Sequence, residues 1–564
     1  MEALDWIVIG VFALALIGII VWVVKQKQND SADYFLGGRD ATWLAIGASI
    51  FASNIGSEHL IGLAGAGASS GMAMAHWEIQ GWMILILGWV FVPFYTRSMV
   101  YTMPEFLERR YNPQSRTILS VISLVSYVLT KVAVTVYAGG LVFQQVFGIK
   151  ELWGIDFFWI AAIGLVLITA LYTIFGGMKS VLYTSVLQTP ILLLGSLIIL
   201  VLGFKELGGW DEMMRVCGAV TVNDYGDTMT NLIRSNDDAN FPWLGALIGS
   251  AIIGFWYWCT DQFIVQRVLS GKNEMEARRG TIFGAYLKLL PVFLFLIPGM
   301  IAFALHQKYI GAGGEGFLPM LANGTANADA AFPTLVAKLL PAGVKGLVVC
   351  GILAALMSSL ASLFNSSAML FTIDFYKRFR PETPEKKLVG IGQVATVVIV
   401  ILGILWIPIM RSVGDVLYTY LQDVQSVLAP GIAAAFLLGI CWKRTSAQGG
   451  MWGLIAGMVI GLTRLGAKVY YSNAGEVADS TFKYLFYDMN WLFFCGWMFL
   501  FCIIVVIVVS LATKAPTAEK IQGLVFGTAT KEQKAATRAS WNHWDIIHTV
   551  IILAITGAFY WYFW

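Results

Sequence analysis

Residues 51–65 read FASNIGSEHLIGLAG, Phe51 to Gly65. Small and apolar residues run up to Ser53 and resume at Leu60. Between them Asn54, Ser57, Glu58 and His59 crowd around Gly56. Four polar side chains within six residues do not face lipid at tolerable cost. Inside a membrane span they predict an unwound segment whose freed carbonyls suit a cation. The composition says that this is a membrane span. Of 564 residues, 58% are hydrophobic and 13% charged, where a soluble domain carries about 25% charged residues.

Apolar runs of about 20 residues, each able to cross a hydrocarbon core of roughly 30 Å, recur along the whole chain. Fourteen are expected, near 4–25, 41–65, 72–96, 117–147, 153–175, 180–203, 243–266, 280–306, 346–376, 388–410, 415–442, 447–474, 486–512 and 545–564. The predicted fold class is an all-α polytopic membrane protein, because unpaired backbone is not tolerated in lipid. Connections after odd-numbered runs carry more than twice the Lys and Arg of the others, including Arg109-Arg110, Arg278-Arg279 and Lys377-Arg378. The positive-inside rule then puts those connections in the cytoplasm and both termini outside a cell membrane. The first run lacks a basic n-region and a small-residue cleavage site, so it reads as a retained span.

A net charge of +3 without a basic tract offers no nucleic-acid surface, and six scattered cysteines form no metal or disulfide pattern. No obligate protein partner is evident. Gly67-Ala-Ser69-Ser-Gly71 matches a nucleophile-elbow pattern but lacks the strand–turn–helix that elbow requires. With no P-loop and no intramembrane nucleophile–base pair, neither an ATP-driven pump nor an enzyme is expected.

Polar groups inside apolar spans are costly and mark function by default. Ala355, Ser358, Ser359 and Ser362 follow i, i+3, i+4, i+7 spacing and share one helical face. From spacing alone that face reads somewhat better as tight helix packing than as a neutral oxygen site for a monovalent cation. Glu78, Lys288 and Gln422 stand alone in apolar runs, and Trp256-Tyr257-Trp258 adjoins Thr260, Asp261 and Gln262. Aromatic faces with a few convergent polar groups describe a site for a neutral polar solute. A buried Glu78–Lys288 ion pair beside an aromatic belt is the alternative, and Lys131 could pair or snorkel. Gly449, Gly453, Gly457 and Gly461 form a four-residue repeat that suits close helix approach.

Several separated motifs then occur in an order that resembles the sodium:solute symporter family, most closely its sodium/glucose cotransporter branch. They are Phe51–Gly65, Ile168–Ser180 (ITALYTIFGGMKS), Trp256–Arg267 (WYWCTDQFIVQR), Tyr286–Pro291, Leu356–Ser367 and Tyr420–Gln422. The resemblance implies a LeuT-like core of two inverted five-helix repeats at 41–203 and 243–442. Around it would lie an N-terminal peripheral helix with its inner loop over 1–40, an outer loop 204–242 and peripheral helices 443–564. It implies sodium held by the carbonyls of Ala52, Ile55 and Ala355 and the hydroxyls of Ser358 and Ser359. Sugar would meet Asn54, His59, Glu78, Tyr257, Trp258, Lys288 and Gln422, under an outer gate of Leu63, Trp77 and Tyr418. The expected activity is sodium-coupled symport of a glucose- or galactose-type hexose. A polyol such as myo-inositol, another polar solute, or a sugar sensor or facilitator are the alternatives. Two positions depart from the family. Gly254 stands where relatives carry a polar residue able to touch sugar, and Ser185 replaces a usual aspartate, which favours one sodium per solute.

Overall fold

The computed structural model describes residues 1–564 except 27–29, 57, 322–323, 414–416 and 474–477; it does not describe the side chains of 129–130, 145, 409–413, 417–423 and 473. Among the described residues the chain is almost entirely helical. One antiparallel hairpin, Glu151–Leu152 with Ile155–Asp156, caps a connection. Eleven helical runs among the described residues are long and apolar enough to cross a membrane, and Trp43–Asn54 and Ala133–Gln144 are shorter apolar helices.

This differs from the expected division into fourteen. Phe157–Leu207 joins the runs expected at 153–175 and 180–203, interrupted at Gly177 with φ +51° and ψ −148°. A Cβ at 177 would run into the carbonyl of Tyr34, so the glycine meets both a left-handed backbone and a close approach. Glu58–Ser98 likewise joins half of 41–65 to 72–96, with a left-handed Gly71 at φ +67° between them. Both interruptions fall in the gaps that the sequence reading leaves between these runs, at 176–179 and 66–71.

Helix Val344–Met369 forms the centre, packed chiefly against Phe157–Leu207, while Glu274–Lys288 packs against Trp43–Asn54. The most apolar window of Val344–Phe379 is 89% buried, against 17% for Ala3–Lys25, which therefore lies at the periphery. The glycine repeat does allow close approach: a Cβ at Gly457 would sit 2.6 Å from the Cα of Gly431. The last helix, His543–Tyr562, is tied to Glu274–Lys288 by the Arg279–Asp545 ion pair at 3.0 Å. The connection before Trp243 folds back over the end of the first broken helix. There the Leu232 carbonyl lies 3.1 Å from His76 Nε2, and the Leu232 N–H donates to the Phe563 carbonyl.

Candidate solute and cation site

Two interrupted helices meet at the middle of the bundle. Trp43–Asn54 stops at Ile55, whose extended backbone (φ −80°, ψ 105°) frees carbonyls at the helix end. The chain resumes as the wider, π-type turns of Glu58–Leu63. Trp243–Gly254 continues as π-type turns through Thr260 and stops at Asp261 (φ −76°, ψ 127°). Helix Gln262–Leu269 then begins, capped by the Asp261 carboxylate accepting from Phe263 N–H at 3.2 Å. The Asp261 carboxylate also pairs with Lys131 at 2.7 Å and accepts the Tyr127 hydroxyl. Lys131 therefore pairs rather than snorkels, with its ammonium 4.7 Å from the ring centroids of both Tyr257 and Phe263.

A cavity of about 60 Å³ lies between the two breaks, lined by Asn54, Glu58, His59, Trp77, Glu78, Gln80, Ile253, Gly254, Tyr257, Trp258, Lys288 and Gln425. It has room for a few waters and is far below the roughly 300 Å³ of an ordinary ligand pocket. Inside it the Lys288 ammonium donates to Glu78 Oε2 at 2.6 Å and to Asn54 Oδ1 at 3.2 Å. The Asn54 amide donates to the Tyr257 hydroxyl at 3.1 Å. His59 Nε2 stands 3.2 Å from the same Glu78 oxygen, yet neither ring nitrogen has a hydrogen bond of good geometry among the described residues. The two sequence alternatives thus coincide: Glu78 and Lys288 are a buried ion pair, and that pair lines the cavity.

Of the expected solute contacts, Asn54, His59, Glu78, Tyr257, Trp258 and Lys288 come together here, while the side chain of Gln422 lies outside the described residues. Among the expected gate residues, Trp77 lines the cavity and stacks on Trp491, with centroids 5.5 Å apart. Its Nε1 is buried without a hydrogen-bond partner among the described residues. Leu63 is fully buried but does not line the cavity, and the Tyr418 side chain is not described. Glu58, Gln80 and Gln425 also line the cavity. Glu58 was visible as part of the polar break, whereas nothing in the spacing singled out Gln80 or Gln425.

Next to the first break lies a cluster of serines. Ser359 Oγ donates to the Ser53 carbonyl at 2.8 Å and reaches that of Ile55 at 3.3 Å. Ser362 and Ser53 hydroxyls are 2.6 Å apart, and those of Ser358 and Ser185 are 3.3 Å apart. Gly56 is what permits this approach, since a Cβ there would sit 2.8 Å from Ser359 Oγ and 2.9 Å from Glu58 Oε2. Ala52 and Ala355, the other expected contributors, are buried on the same two helices. No cluster of three or more His, Cys, Asp or Glu suited to a metal occurs among the described residues. The oxygens gathered here are neutral hydroxyls and carbonyls, a hard-oxygen set that fits a monovalent cation.

The model of the sodium:solute symporter family matches residues 34–457, three quarters of the chain and both interrupted helices. The chain belongs to the sodium:solute symporter family. This symporter is 36% identical over 542 residues to the human protein named sodium/myo-inositol cotransporter 2, covering 94% of this chain and 79% of that one. It is 37% identical over 525 residues to the dog sodium/myo-inositol cotransporter, covering 89% and 72%. A solved sodium-coupled sialic acid symporter in a substrate-bound outward-open state shares its fold. The TM-score is 0.72 at 22% identity, covering 92% of this chain and 99% of that one. The structure of MhsT with L-phenylalanine aligns at a TM-score of 0.50 and 13% identity, covering 84% and 99%. The symporter is thus a multi-pass membrane transporter with sodium as its co-transported ion, and not an enzyme.

Proposed function

We propose that the symporter carries a cyclic polyol of the myo-inositol type together with sodium. The observation that carries this is similarity over 94% of the chain to sodium/myo-inositol cotransporters. It favours the polyol over the glucose- or galactose-type hexose expected from the motifs. The lining of the cavity, which must widen to admit it, supports a neutral polyhydroxyl solute, because Glu78 accepts, Lys288 donates and the rings of Tyr257 and Trp258 offer faces to C–H groups.

In this reading sodium binds Ala52, Ile55, Ala355, Ser358 and Ser359, steadies the unwound segment and so orders Asn54 and His59 for the solute. Each ligand then raises the other's affinity by the same factor. Alternating access would rock 41–203 against 243–442, and the interruption of the first helix in each half supports that inverted-repeat division. Fourteen crossings with both termini outside belong to the same reading. With Ser185 in place of a carboxylate, one sodium accompanies each solute. Its entry contributes about 2.3 kcal/mol per 100 mV and a tenfold gradient about 1.4 kcal/mol, enough for accumulation of a few hundredfold.

Radiolabelled myo-inositol uptake into proteoliposomes, with inward, outward and absent sodium gradients, tests the reading. Sodium-driven accumulation, competed better by polyols than by glucose or galactose, is expected, with reversal potentials giving a coupling ratio of one. Preferential competition by hexoses overturns the polyol assignment. Binding without accumulation overturns symport in favour of a sensor or facilitator.

A further inference from the structure

Position 254 is a glycine in the wall of the cavity, and its neighbour across the cavity wall explains what fills its place. A Cβ built on Gly254 would lie 2.5 Å from Oε1 of Gln80, 2.9 Å from its Cδ and 3.1 Å from its Nε2. The carboxamide of Gln80 thus occupies the volume that a side chain at 254 would need. Gln80 itself lines the cavity, two residues beyond Glu78 in the turn between helices Ala75–Glu78 and Gly81–Ile86. Its Nε2 donates to the Ser250 carbonyl at 2.8 Å. A carbonyl accepts and cannot donate, so the amide orientation is set by chemistry rather than choice. Oε1 is left as an acceptor beside the cavity, with no hydrogen bond among the described residues.

We propose that Gln80 is a substrate-contacting, specificity-determining residue, supplying from the turn after Ala75–Glu78 a polar group beside Gly254, which carries no side chain. The proposal rests on the reading of this cavity as the solute site. Held by Ser250, Oε1 presents a fixed acceptor to one solute hydroxyl, whereas Lys288 and the indole N–H of Trp77 present donors. A solute lacking that hydroxyl leaves the amide oxygen unpaired in a dry site, which is how a hydrogen-bonding pocket rejects deoxy analogues. A side chain added at 254 would meet the carboxamide end of Gln80 and push it from its present place.

The test compares purified, reconstituted wild type with Gln80→Met, Gln80→Ala, Gly254→Asn and the double variant Gln80→Ala/Gly254→Asn. Gln80→Met keeps length while removing the acceptor, and monodispersity after extraction reports folding. Sodium-driven myo-inositol uptake gives KM and maximal rate, and a panel of monodeoxy-inositols as competitors gives the hydroxyl profile. Gln80→Met is expected to raise the myo-inositol KM about tenfold, leave the sodium KM at saturating solute unchanged and abolish discrimination against one deoxy isomer. Gly254→Asn alone should displace the Gln80 carboxamide and raise the myo-inositol KM, and the double variant should lower it again. Wild-type KM and competition profile in Gln80→Met overturn the proposal. So does a KM rise that weakens every analogue equally, which a merely structural role would give. If wild type accumulates glucose instead, the polyol reading fails by itself, and the same variants are read with monodeoxyglucoses.

Discussion

The solute end of the site and its serine end are built from opposite materials. Around the cavity, Glu78 and Lys288 form an ion pair, both buried and 2.6 Å apart, with His59 and Asn54 drawn onto the same pair. At the serine end Ser53, Ser185, Ser358, Ser359 and Ser362 are neutral and bond to each other or to carbonyls freed by the break. A buried ion pair is rigid because separating it exposes a charge to low dielectric. A hydroxyl–carbonyl contact is worth only about 1 kcal/mol net, so an ion exchanges for it cheaply. Under the proposed assignment of the two ends, the contrast means that the solute must insert into existing charge pairing, while sodium needs only to turn hydroxyls already facing one another.

The largest effect should come from splitting the pair. Glu78→Gln removes the carboxylate that Lys288 directly contacts, so stability should fall by about 3–5 kcal/mol and uptake should vanish. Glu78→Gln combined with Lys288→Gln should recover much of the stability, read by thermal unfolding in detergent, without recovering uptake. Equal stability of wild type and the single variant would erase the distinction between the two ends.

Ser359→Ala probes the other end. Stability should change by no more than about 1 kcal/mol, while the sodium KM rises at least tenfold and the solute KM at saturating sodium stays near wild type. A parallel rise in both constants would show that the serines shape the solute cavity instead. Helix Leu417–Cys441 carries two glutamines that bear on the solute end. Gln425→Ala, from the cavity wall, and Gln422→Ala, from the family resemblance, should each raise solute KM about tenfold with sodium KM unchanged. Loss of sodium affinity instead would move that helix to the serine end.

The smallest effect lies outside the spans. Asp329, whose side chain a Cβ on Gly65 would strike, is buried enough that its carboxyl is pushed up to about 6. A carboxyl raised above its unfolded value favours the folded chain when protonated, so its contribution falls as pH rises from about 4 through 6. Thermal stability should therefore rise slightly on going from pH 7 to pH 5, and Asp329→Asn should flatten that slope. An unchanged slope in the variant would remove Asp329 as its source.

Much of the site was legible because polar residues in apolar runs are rare and hence conspicuous. Glu78 and Lys288 needed no more than that signal, the break at Ile55 followed from Gly56 among polar neighbours, and Asn54 and His59 were placed at the solute only by the family resemblance. Gln80 was missed because a glutamine in a turn carries no such signal: only the Gly254 backbone beside it reveals its place. The hexose expectation rested on local motifs, whereas similarity along the whole chain favours a polyol.

By itself the sequence determined that the chain lives in lipid, that its backbone must be helical there and that one helix is interrupted at 54–59. Those conclusions need only the cost of exposing polar groups to hydrocarbon, which acts residue by residue. Tertiary structure decided that Gly177 lies against the Tyr34 carbonyl, that Glu78 and Lys288 are both pair and pocket, and that Gln80 fills the space at Gly254. Each of these depends on which atoms of distant segments meet within about 3 Å. Periodicity and composition carry no record of such meetings, because close packing is a property of pairs of surfaces rather than of either stretch of sequence alone.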